Sequence, residues 1–173
     1  MTACVYSLDN RLLLSKDAVM NAGADAITAA FPLDLAPLMG DGVVLVRLEL
    51  PSANGQRVSD NFYWRAAHDA GYRALTGLPE AAVTATAGRV GGEAIRVHLR
   101  NVGPVAALAG KLTLLHADGT QVLSAYYSDD YVSLLPGEYR LITISLPEEE
   151  RSRGMQITMS GWNMKPISSD LRE

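Results

Sequence analysis

The stretch Ile95-Arg-Val-His-Leu-Arg-Asn101 decides the fold class, because apolar and polar residues alternate along it. A period of two is typical of a β-strand with one buried and one solvated face. The same alternation runs through residues 140–146 and 155–159, and residues 43–50 form a stronger apolar run. No stretch has the period of a long amphipathic helix. The sequence therefore predicts an all-β protein.

Turn residues separate the predicted strands. Asn-Gly and Asp-Gly pairs favour tight hairpins, and Pro-Gly suits a type II turn in which the glycine supplies a positive φ. Turn pairs lie between the strands at four places: Asp9-Asn10, Asn54-Gly55, Asp118-Gly119 and Pro136-Gly137. Helices are expected only within residues 32–38 and 147–150, each of about one turn. Short strands at this spacing predict antiparallel β-sandwiches.

Composition and charge exclude several classes of protein. The chain has 173 residues, with 15 Lys and Arg against 19 Asp and Glu, a net charge of −4 and a pI near 5.4. A (β/α)₈ barrel needs about 250 residues and does not fit. The acidic balance argues against a nucleic-acid partner. No apolar run approaches the roughly 18 residues of a membrane span, so no membrane partner is predicted.

No metal or organic cofactor is predicted. Cys4 is the only cysteine, and the three histidines lack the spacing of metal ligands. The glycine-rich signatures of phosphate-binding loops are absent as well. Asp129-Asp130 and residues 148–150 are the only acidic clusters. Neighbouring carboxylates in a strand or turn point to opposite sides, so neither cluster provides the two facing carboxyls that glycosidic chemistry requires.

The strand pattern divides the chain into unequal parts. Residues 1–65 hold four or five predicted strands and begin without a lead-in, so we expect an incomplete β-sandwich there. Residues 66–73 are polar and alanine-rich and are predicted to be a linker. Residues 74–165 hold about seven strands, enough for an immunoglobulin-like sandwich, and residues 166–173 form a tail. Because an incomplete sandwich leaves unpaired edges, we expect residues 1–64 to self-associate or to be less ordered.

Aromatic side chains are the remaining candidates for ligand binding. Tyr63, Trp64 and Tyr131 carry rings of the kind that stack on sugars. Tyr and Trp also fill cores and domain interfaces while keeping one polar contact. Alternation places Phe62 and Trp64 on one face, so packing is the favoured interpretation. A turn or inter-domain role is likewise favoured over ligand binding for Asp129-Asp130.

Several motifs resemble a known family. Ser59-Asp-Asn-Phe-Tyr-Trp64 is similar to the end of the penultimate β-sandwich in large glycoside hydrolase family 2 enzymes. Tyr127-Ser-Asp-Asp-Tyr-Val-Ser-Leu-Leu-Pro-Gly-Glu138 resembles the signature of their last, immunoglobulin-like domain, where Asn is common at the position of Asp130. Ile95-Arg-Val-His-Leu-Arg-Asn101 and Ser160-Gly-Trp-Asn163 fit that domain in order and spacing. The resemblance is to the β-mannosidase, exo-β-D-glucosaminidase and mannosylglycoprotein endo-β-mannosidase groups, over residues 3–165.

The resemblance implies a non-catalytic role. In these enzymes both catalytic glutamates lie on a (β/α)₈ barrel, which this chain cannot contain, so no catalytic residue is carried over. The chain is expected to be the C-terminal accessory region of such a glycosidase, with the barrel as its partner and no activity by itself. Five residues are candidates for domain-interface or sugar contacts: Tyr63, Trp64, Asp130, Tyr131 and Trp162.

The alternative is an autonomous carbohydrate-binding or interaction module. It would use Tyr63, Trp64 or Tyr131 as platforms for a carbohydrate partner. The N-terminus shows no signal-peptide pattern, which leaves the compartment of this chain open. A periplasmic or secreted parent enzyme is compatible with the sequence.

Overall fold

The computed structural model describes residues 1–91, 94–150 and 154–172. The chain divides into two compact units, Met1–Leu78 and Pro79–Glu173. Strands provide most of the regular structure in the described residues, and the longest of the short helices is the 3₁₀ helix over Asp69–Gly77. The predicted all-β class is confirmed.

The first unit contains one antiparallel sheet. Its strands pair in the order β2-β1-β3-β4. The Asp9-Asn10 and Asn54-Gly55 turns lie where they were predicted, with Asn10 at φ 65° and Gly55 at φ 79°. The four strands are β1 (Thr2–Tyr6), β2 (Leu12–Asp17), β3 (Val43–Pro51) and β4 (Arg57–Ala66).

The connection between β2 and β3 covers one face of this sheet. Val5, Val44 and Val46 are buried on that face. Four apolar residues of the connection pack against them, namely Leu33, Leu35, Leu38 and Met39. The last two belong to a single helical turn, Ala36–Met39. The first unit is therefore one sheet under a covering segment rather than two facing sheets.

The opposite face of β3 buries an arginine. Arg47 is only 6 % exposed, although the alternation of residues 43–50 places it on the polar side. Its Nη1 lies 3.2 Å from Asp60 Oδ2, and its guanidinium lies 5.8 Å from the centre of the Phe62 ring. A buried charge is tolerated when it is paired in this way. Both faces of the sheet are consequently packed at β3.

The first unit continues past the predicted linker. β4 extends to Ala66, and a 3₁₀ helix follows over Asp69–Gly77. Leu75 is buried, and the hydroxyl of Tyr72 donates to the carbonyl oxygen of Trp64 at 3.3 Å. The boundary thus lies after Leu78, not within residues 66–73. The polar composition of this segment hid the few residues that anchor it.

The second unit is a two-layered β-sandwich. Its strands pair in the order β8-β10-β6-β5-β12-β11-β7-β9, with β5 and β12 joining the two layers. The eight strands are β5 (Val83–Val90), β6 (Ala94–Asn101), β7 (Ala107–Leu115), β8 (Tyr126–Tyr127), β9 (Val132–Leu134), β10 (Tyr139–Ser145), β11 (Gln156–Gly161) and β12 (Met164–Arg172).

The core of the sandwich comes from alternate residues of both layers. Ile95, Val97 and Leu99 of β6 pack with Ile142 and Ile144 of β10 in one layer. Across them lie four residues of the other layer: Leu112, Leu114, Ile157 and Met159. Full burial of one such side chain stabilises the fold by about 1.5–3 kcal/mol. The alternation that begins at Ile95 therefore identified the core face correctly.

Two features of this unit differ from the prediction. Residues 166–173 were expected to be a tail, but β12 runs from Met164 to Arg172 and pairs with both β11 and β5. The pairing with β5 is parallel, whereas an entirely antiparallel sandwich was expected. Pro166 and the polar residues after it conceal the strand, since proline within an apolar run argues against a strand. Hydrogen bonds with β11 and β5 therefore make residues 164–172 a strand, although the local sequence does not favour one.

The predicted turns at Asp118-Gly119 and Pro136-Gly137 are present in the second unit, and their glycines have the expected positive φ. Gly137 has φ 79°, and Gly119 has φ 84°. After Asp118-Gly119, a bridge between Leu115 and Gln121 is followed by the two-residue strand β8. The chain then leaves the edge of β7 and reaches β10 through β8.

Candidate functional site

The segment between β8 and β9 carries two predicted candidates, Asp130 and Tyr131. It crosses from one layer of the sandwich to the other. The Oδ1 atom of Asp130 accepts hydrogen bonds from Leu112 N at 3.3 Å and from Tyr131 N at 2.9 Å. The Asp130 carboxylate, rather than a neighbouring strand, therefore accepts the hydrogen bond of the Leu112 backbone N–H at the edge of β7. This internal role agrees with the turn function favoured from the sequence.

Tyr127 performs the same task two residues along β7. Its hydroxyl oxygen accepts a hydrogen bond from Leu114 N at 2.8 Å. Burial raises the pKa of the Tyr127 hydroxyl, the Leu114 hydrogen bond lowers it, and the negative charge of Asp130 raises it. The phenol is thus held neutral as an acceptor between the two layers.

Asp129 and Ser128 complete the anchoring of this segment. Asp129 Oδ2 lies 3.5 Å from Arg140 Nε, and Arg140 is 9 % exposed. Ser128 Oγ accepts a hydrogen bond from Thr143 N at 2.9 Å, and Ser128 N donates to Thr143 O. Both acids of the Asp129-Asp130 pair are therefore engaged within the sandwich.

Tyr131 is the exposed end of this segment. It has φ 56°, in the left-handed region that side chains other than glycine seldom occupy, and its side chain is 62 % exposed. Lys111 Nζ lies 5.9 Å from the centre of its ring, within the range of a cation–π contact. One face of the ring is therefore occupied by a cation.

The candidates of the first unit lie side by side on β4. Tyr63 is 40 % exposed, and the guanidinium of Arg65 lies 5.3 Å from its ring centre. Trp64 points to the opposite face, is partly buried, and accepts the Tyr72 hydrogen bond through its carbonyl oxygen. Tyr63 and Trp64 therefore do not form a shared platform.

Trp162 lies at the tip of the β11–β12 hairpin. Its indole is 53 % exposed, and its backbone N donates to Leu108 O at 2.9 Å. The neighbouring Asn163 was not singled out from the sequence, yet its side-chain amide joins three backbone positions at this end of the sandwich. Asn163 Nδ2 donates to Pro79 O and Ala106 O, and its Oδ1 accepts from Leu108 N.

Asn101 is the second such amide. It is fully buried, donates from Nδ2 to Val105 O at 2.7 Å and to Leu134 O at 3.0 Å, and accepts from Gly103 N. Buried polar groups of this kind are stabilising only when all their hydrogen bonds are made. The sequence signal was available: each asparagine ends a motif on which the family resemblance rests.

The described residues contain no constellation typical of catalysis or metal binding. Within residues 1–91, 94–150 and 154–172, no group of three or more His, Cys, Asp or Glu side chains converges on one point. In the same residues no helix is long and apolar enough to cross a membrane. The described part instead offers internal hydrogen bonds and exposed aromatic side chains.

The second unit is thus an immunoglobulin-like β-sandwich whose polar side chains mainly serve its own architecture. Residues 61–164 match the family described as the exo-beta-D-glucosaminidase Ig-fold domain. Because this match covers more than half of the chain, the chain belongs to that family.

Known proteins similar to this chain are much longer. The exo-beta-D-glucosaminidase of Streptomyces avermitilis is 28 % identical over 170 residues, which cover 84 % of this chain and 19 % of that protein. The exo-chitosanase CsxA of Amycolatopsis orientalis has a TM-score of 0.76 and 24 % identity, over 96 % of this chain and 23 % of that one. A CsxA variant in complex with PNP-beta-D-glucosamine gives a TM-score of 0.75 with the same coverage.

These comparisons establish the fold and the family. The chain spans about a fifth of the length of the relatives it matches. They support the exo-glucosaminidase part of the resemblance, whereas its β-mannosidase part stays a prediction. The roles of Tyr63, Trp64, Asp130, Tyr131 and Trp162 in interface or sugar contacts also stay predictions.

Proposed function

We propose that this chain is a non-catalytic accessory region of a family 2 glycosidase of the exo-glucosaminidase type, and that it buttresses the catalytic barrel. Membership of residues 61–164 in the exo-beta-D-glucosaminidase Ig-fold family is the observation that carries the proposal. The small share of the relatives that this chain spans is consistent with it.

The engagement of the carboxylates supports a non-catalytic role. Glycosidic hydrolysis needs two carboxyl groups facing a common sugar, about 5–9 Å apart. Asp129 is paired with Arg140, Asp130 accepts two backbone hydrogen bonds, and Glu138 accepts one from Leu135 N at 2.9 Å. Each of these acids is committed to the sandwich itself.

The rigidity of the sandwich supports a buttressing role. Its two layers share one buried core, and Asn101, Asn163 and Tyr127 link segments that are distant in sequence. A support that holds a neighbouring domain must resist deformation, and close-packed interiors do so. Exposed aromatic side chains, which are enriched at interfaces, provide contact points.

The proposal is tested by assaying the purified chain. We expect no hydrolysis of PNP-β-D-glucosamine or of p-nitrophenyl β-mannoside, with circular dichroism used to verify that the chain is folded. Turnover that co-purifies with the folded chain through two chromatographic steps would contradict the proposal. Asp129→Asn/Asp130→Asn removes both carboxylates but keeps the side-chain oxygen that accepts from Leu112 N and Tyr131 N, and it is the control for any trace activity once circular dichroism shows it folded.

A carbohydrate-binding module remains the second candidate function because Tyr131 and Trp162 are more than half exposed. Against it, the rings of Tyr63 and Tyr131 each have a cation near one face, which leaves less surface for a sugar. Titration with manno- and chito-oligosaccharides separates the two functions. The buttress predicts no saturable binding, and the module predicts binding that Tyr131→Ala weakens.

A further inference from the structure

The hairpin turn between β3 and β4 contains the only Asn-Gly pair of the sequence, Asn54-Gly55. Both residues are exposed, and Gly55 has φ 79°. A Cβ atom placed on Gly55 would meet no atom within 4 Å. Because glycine has no side chain, nothing on Gly55 shields its backbone nitrogen from the amide carbon of the preceding asparagine. The turn therefore presents a reactive pair of groups at the surface of the first unit.

Hydrogen bonds fix which end of the Asn54 amide faces into the turn. Gln56 N donates to Oδ1 of Asn54 at 3.2 Å. Since a backbone N–H can only donate, the atom that faces it is the amide oxygen and not Nδ2. The hydroxyl of Ser52 also donates to this oxygen, at 2.5 Å. Donors of this kind stabilise the negative charge that develops on a carbonyl oxygen when a nucleophile attacks its carbon.

Two other hairpin turns have the same hydrogen bond across the turn. In each case the residue with positive φ donates its backbone N–H to the carbonyl oxygen three positions earlier. The three bonds run from Asn10 N to Ser7 O at 3.0 Å, from Gly55 N to Ser52 O at 2.9 Å and from Gly119 N to His116 O at 2.9 Å. The three turns are therefore natural comparisons for one another.

The comparison turns carry aspartate at the position of Asn54. The side-chain hydrogen bond from Ser7 lowers the pKa of the Asp9 carboxyl, and the one from Thr120 lowers the pKa of the Asp118 carboxyl. Both groups are therefore ionised at neutral pH, and a carboxylate is a poor electrophile. The neutral amide of Asn54 has a carbon open to attack and a nitrogen that can leave.

We propose that Asn54 is a site of spontaneous deamidation, at which the backbone nitrogen of Gly55 attacks the side-chain amide carbon of Asn54. A bond forms between Gly55 N and Asn54 Cγ, the bond from Cγ to Nδ2 breaks, and ammonia leaves with the proton of Gly55 N. Water then opens the succinimide ring and gives aspartate or isoaspartate. The net exchange of NH₂ for OH adds a negative charge to a chain of net charge −4.

The aspartyl product fits the turn that is already present. Asp118 Oδ1 accepts a hydrogen bond from Thr120 N at 2.9 Å, as Asn54 Oδ1 does from Gln56 N. A carboxylate at position 54 keeps this bond and strengthens it through its charge. An isoaspartyl product lengthens the backbone inside the turn, which Ser52 N closes by donating to Gln56 O at 2.8 Å. The folded chain therefore accommodates the aspartyl form.

One hydrogen bond opposes the reaction in the folded chain. Gly55 N has to release the carbonyl oxygen of Ser52 before it can attack Asn54. Exposed hydrogen bonds at the tip of a hairpin open locally at low cost. We therefore expect the folded chain to deamidate about two- to tenfold more slowly than the chain unfolded in urea, since a single exposed hydrogen bond must open first.

Peptide mapping by mass spectrometry tests the proposal. The folded chain is incubated at mildly alkaline pH and digested with trypsin at intervals. The tryptic peptide of residues 48–57 contains Asn54 as its only asparagine, and we expect it to gain the mass of the exchange of NH₂ for OH. Asn21 is exposed but is followed by Ala22, and it serves as the internal control. Its peptide should change at least about tenfold more slowly, because a Cβ atom shields the following nitrogen.

Two variants complete the experiment. Asn54→Gln moves the amide carbon one methylene further from Gly55 N and should abolish the mass gain. Asn54→Asp reproduces the product and should leave the thermal midpoint within about 2 °C of the wild type. Equal rates at Asn54 and Asn21, or modification of Asn54 only in urea, would overturn the inference. A large loss of stability in Asn54→Asp would show that the turn does not accommodate the product. These outcomes are independent of the proposed function, because the reaction requires neither a partner enzyme nor a sugar.

Discussion

Asn163 Nδ2 donates a hydrogen bond of 3.0 Å to the carbonyl oxygen of Pro79, across 84 positions of the chain. Pro79 begins the second unit, and Asn163 lies in the hairpin between its last two strands. The same amide also contacts Ala106 and Leu108 at the start of β7. One side chain thus ties the entry of the sandwich to two of its strands.

Replacement of Asn163 should destabilise the second unit. Asn163→Ala removes three hydrogen bonds and leaves Ala106 O and Leu108 N without this partner in a buried site, at a cost of roughly 2–4 kcal/mol. Urea unfolding monitored by circular dichroism measures the change. Asn61→Ala, at an exposed position of β4, is the control and should shift stability by less than about 0.5 kcal/mol. Equal effects of the two substitutions would show that the amide contributes nothing special.

Tyr127 should make stability depend on alkaline pH. Burial raises the pKa of its hydroxyl in the folded state, so above about pH 10 the unfolded chain loses this proton more readily than the folded chain. Stability from this source is present below pH 10 and is lost as the pH rises toward the folded pKa. Tyr127→Phe should therefore flatten the decline in the urea midpoint between pH 9 and 11.

The matched control for this experiment is Tyr126→Phe, because Tyr126 is adjacent and 77 % exposed. At pH 7 we expect Tyr127→Phe to cost about 1–2 kcal/mol, since Leu114 N loses its acceptor. Tyr126→Phe should leave both the stability and the alkaline profile as they are. Identical profiles for the wild type and Tyr127→Phe would exclude Tyr127 as the source.

Asn is common in the resembled family at the position of Asp130, and two substitutions test whether this difference affects stability. Asp130→Asn keeps an Oδ1 acceptor for Leu112 N and Tyr131 N and should change stability by less than about 1 kcal/mol. Asp130→Ala removes the acceptor and should cost about 1–3 kcal/mol. Denaturant titration of both variants distinguishes them. If Asn is as damaging as Ala, the negative charge rather than hydrogen-bond acceptance holds the segment.

Gly161 is required by close packing. A Cβ there would lie 2.8 Å from Leu108 O and 2.1 Å from the Cε atom of Met164. The methionine can move, but the backbone carbonyl cannot, so Gly161→Ala should cost about 1–3 kcal/mol. Gly77→Ala is the control, because nothing lies within 4 Å of the added atom. Differential scanning calorimetry should show a lower midpoint only for Gly161→Ala.

Local sequence was sufficient to predict strand faces and tight turns, because these depend on the residues of the segment itself. The alternation from Ile95 to Leu99 predicted the buried face of β6, and Gly55, Gly119 and Gly137 predicted turns that need a positive φ. The exo-glucosaminidase part of the family resemblance, which the strand and turn motifs of the second unit carry, was confirmed by the match over residues 61–164.

Local sequence failed where a distant partner decided the outcome. β12 contains Pro166 and several polar residues, and it is a strand because β11 and β5 supply its hydrogen bonds. Arg47 is buried because Asp60 and Phe62 lie on the neighbouring strand. The 3₁₀ helix over Asp69–Gly77 belongs to the first unit through Tyr72 and Leu75, which its polar composition obscured.

The amino-acid sequence by itself determined the all-β class, the core face of the main strands and the membership in a glycosidase domain family. The tertiary structure alone decided where the units divide, which acids are engaged internally and that residues 164–172 form a strand. The reason is physical: side-chain alternation is a property of a single strand, whereas the hydrogen bonds of Asn163 and the pairing of β12 with β11 and β5 exist only after distant segments have come together.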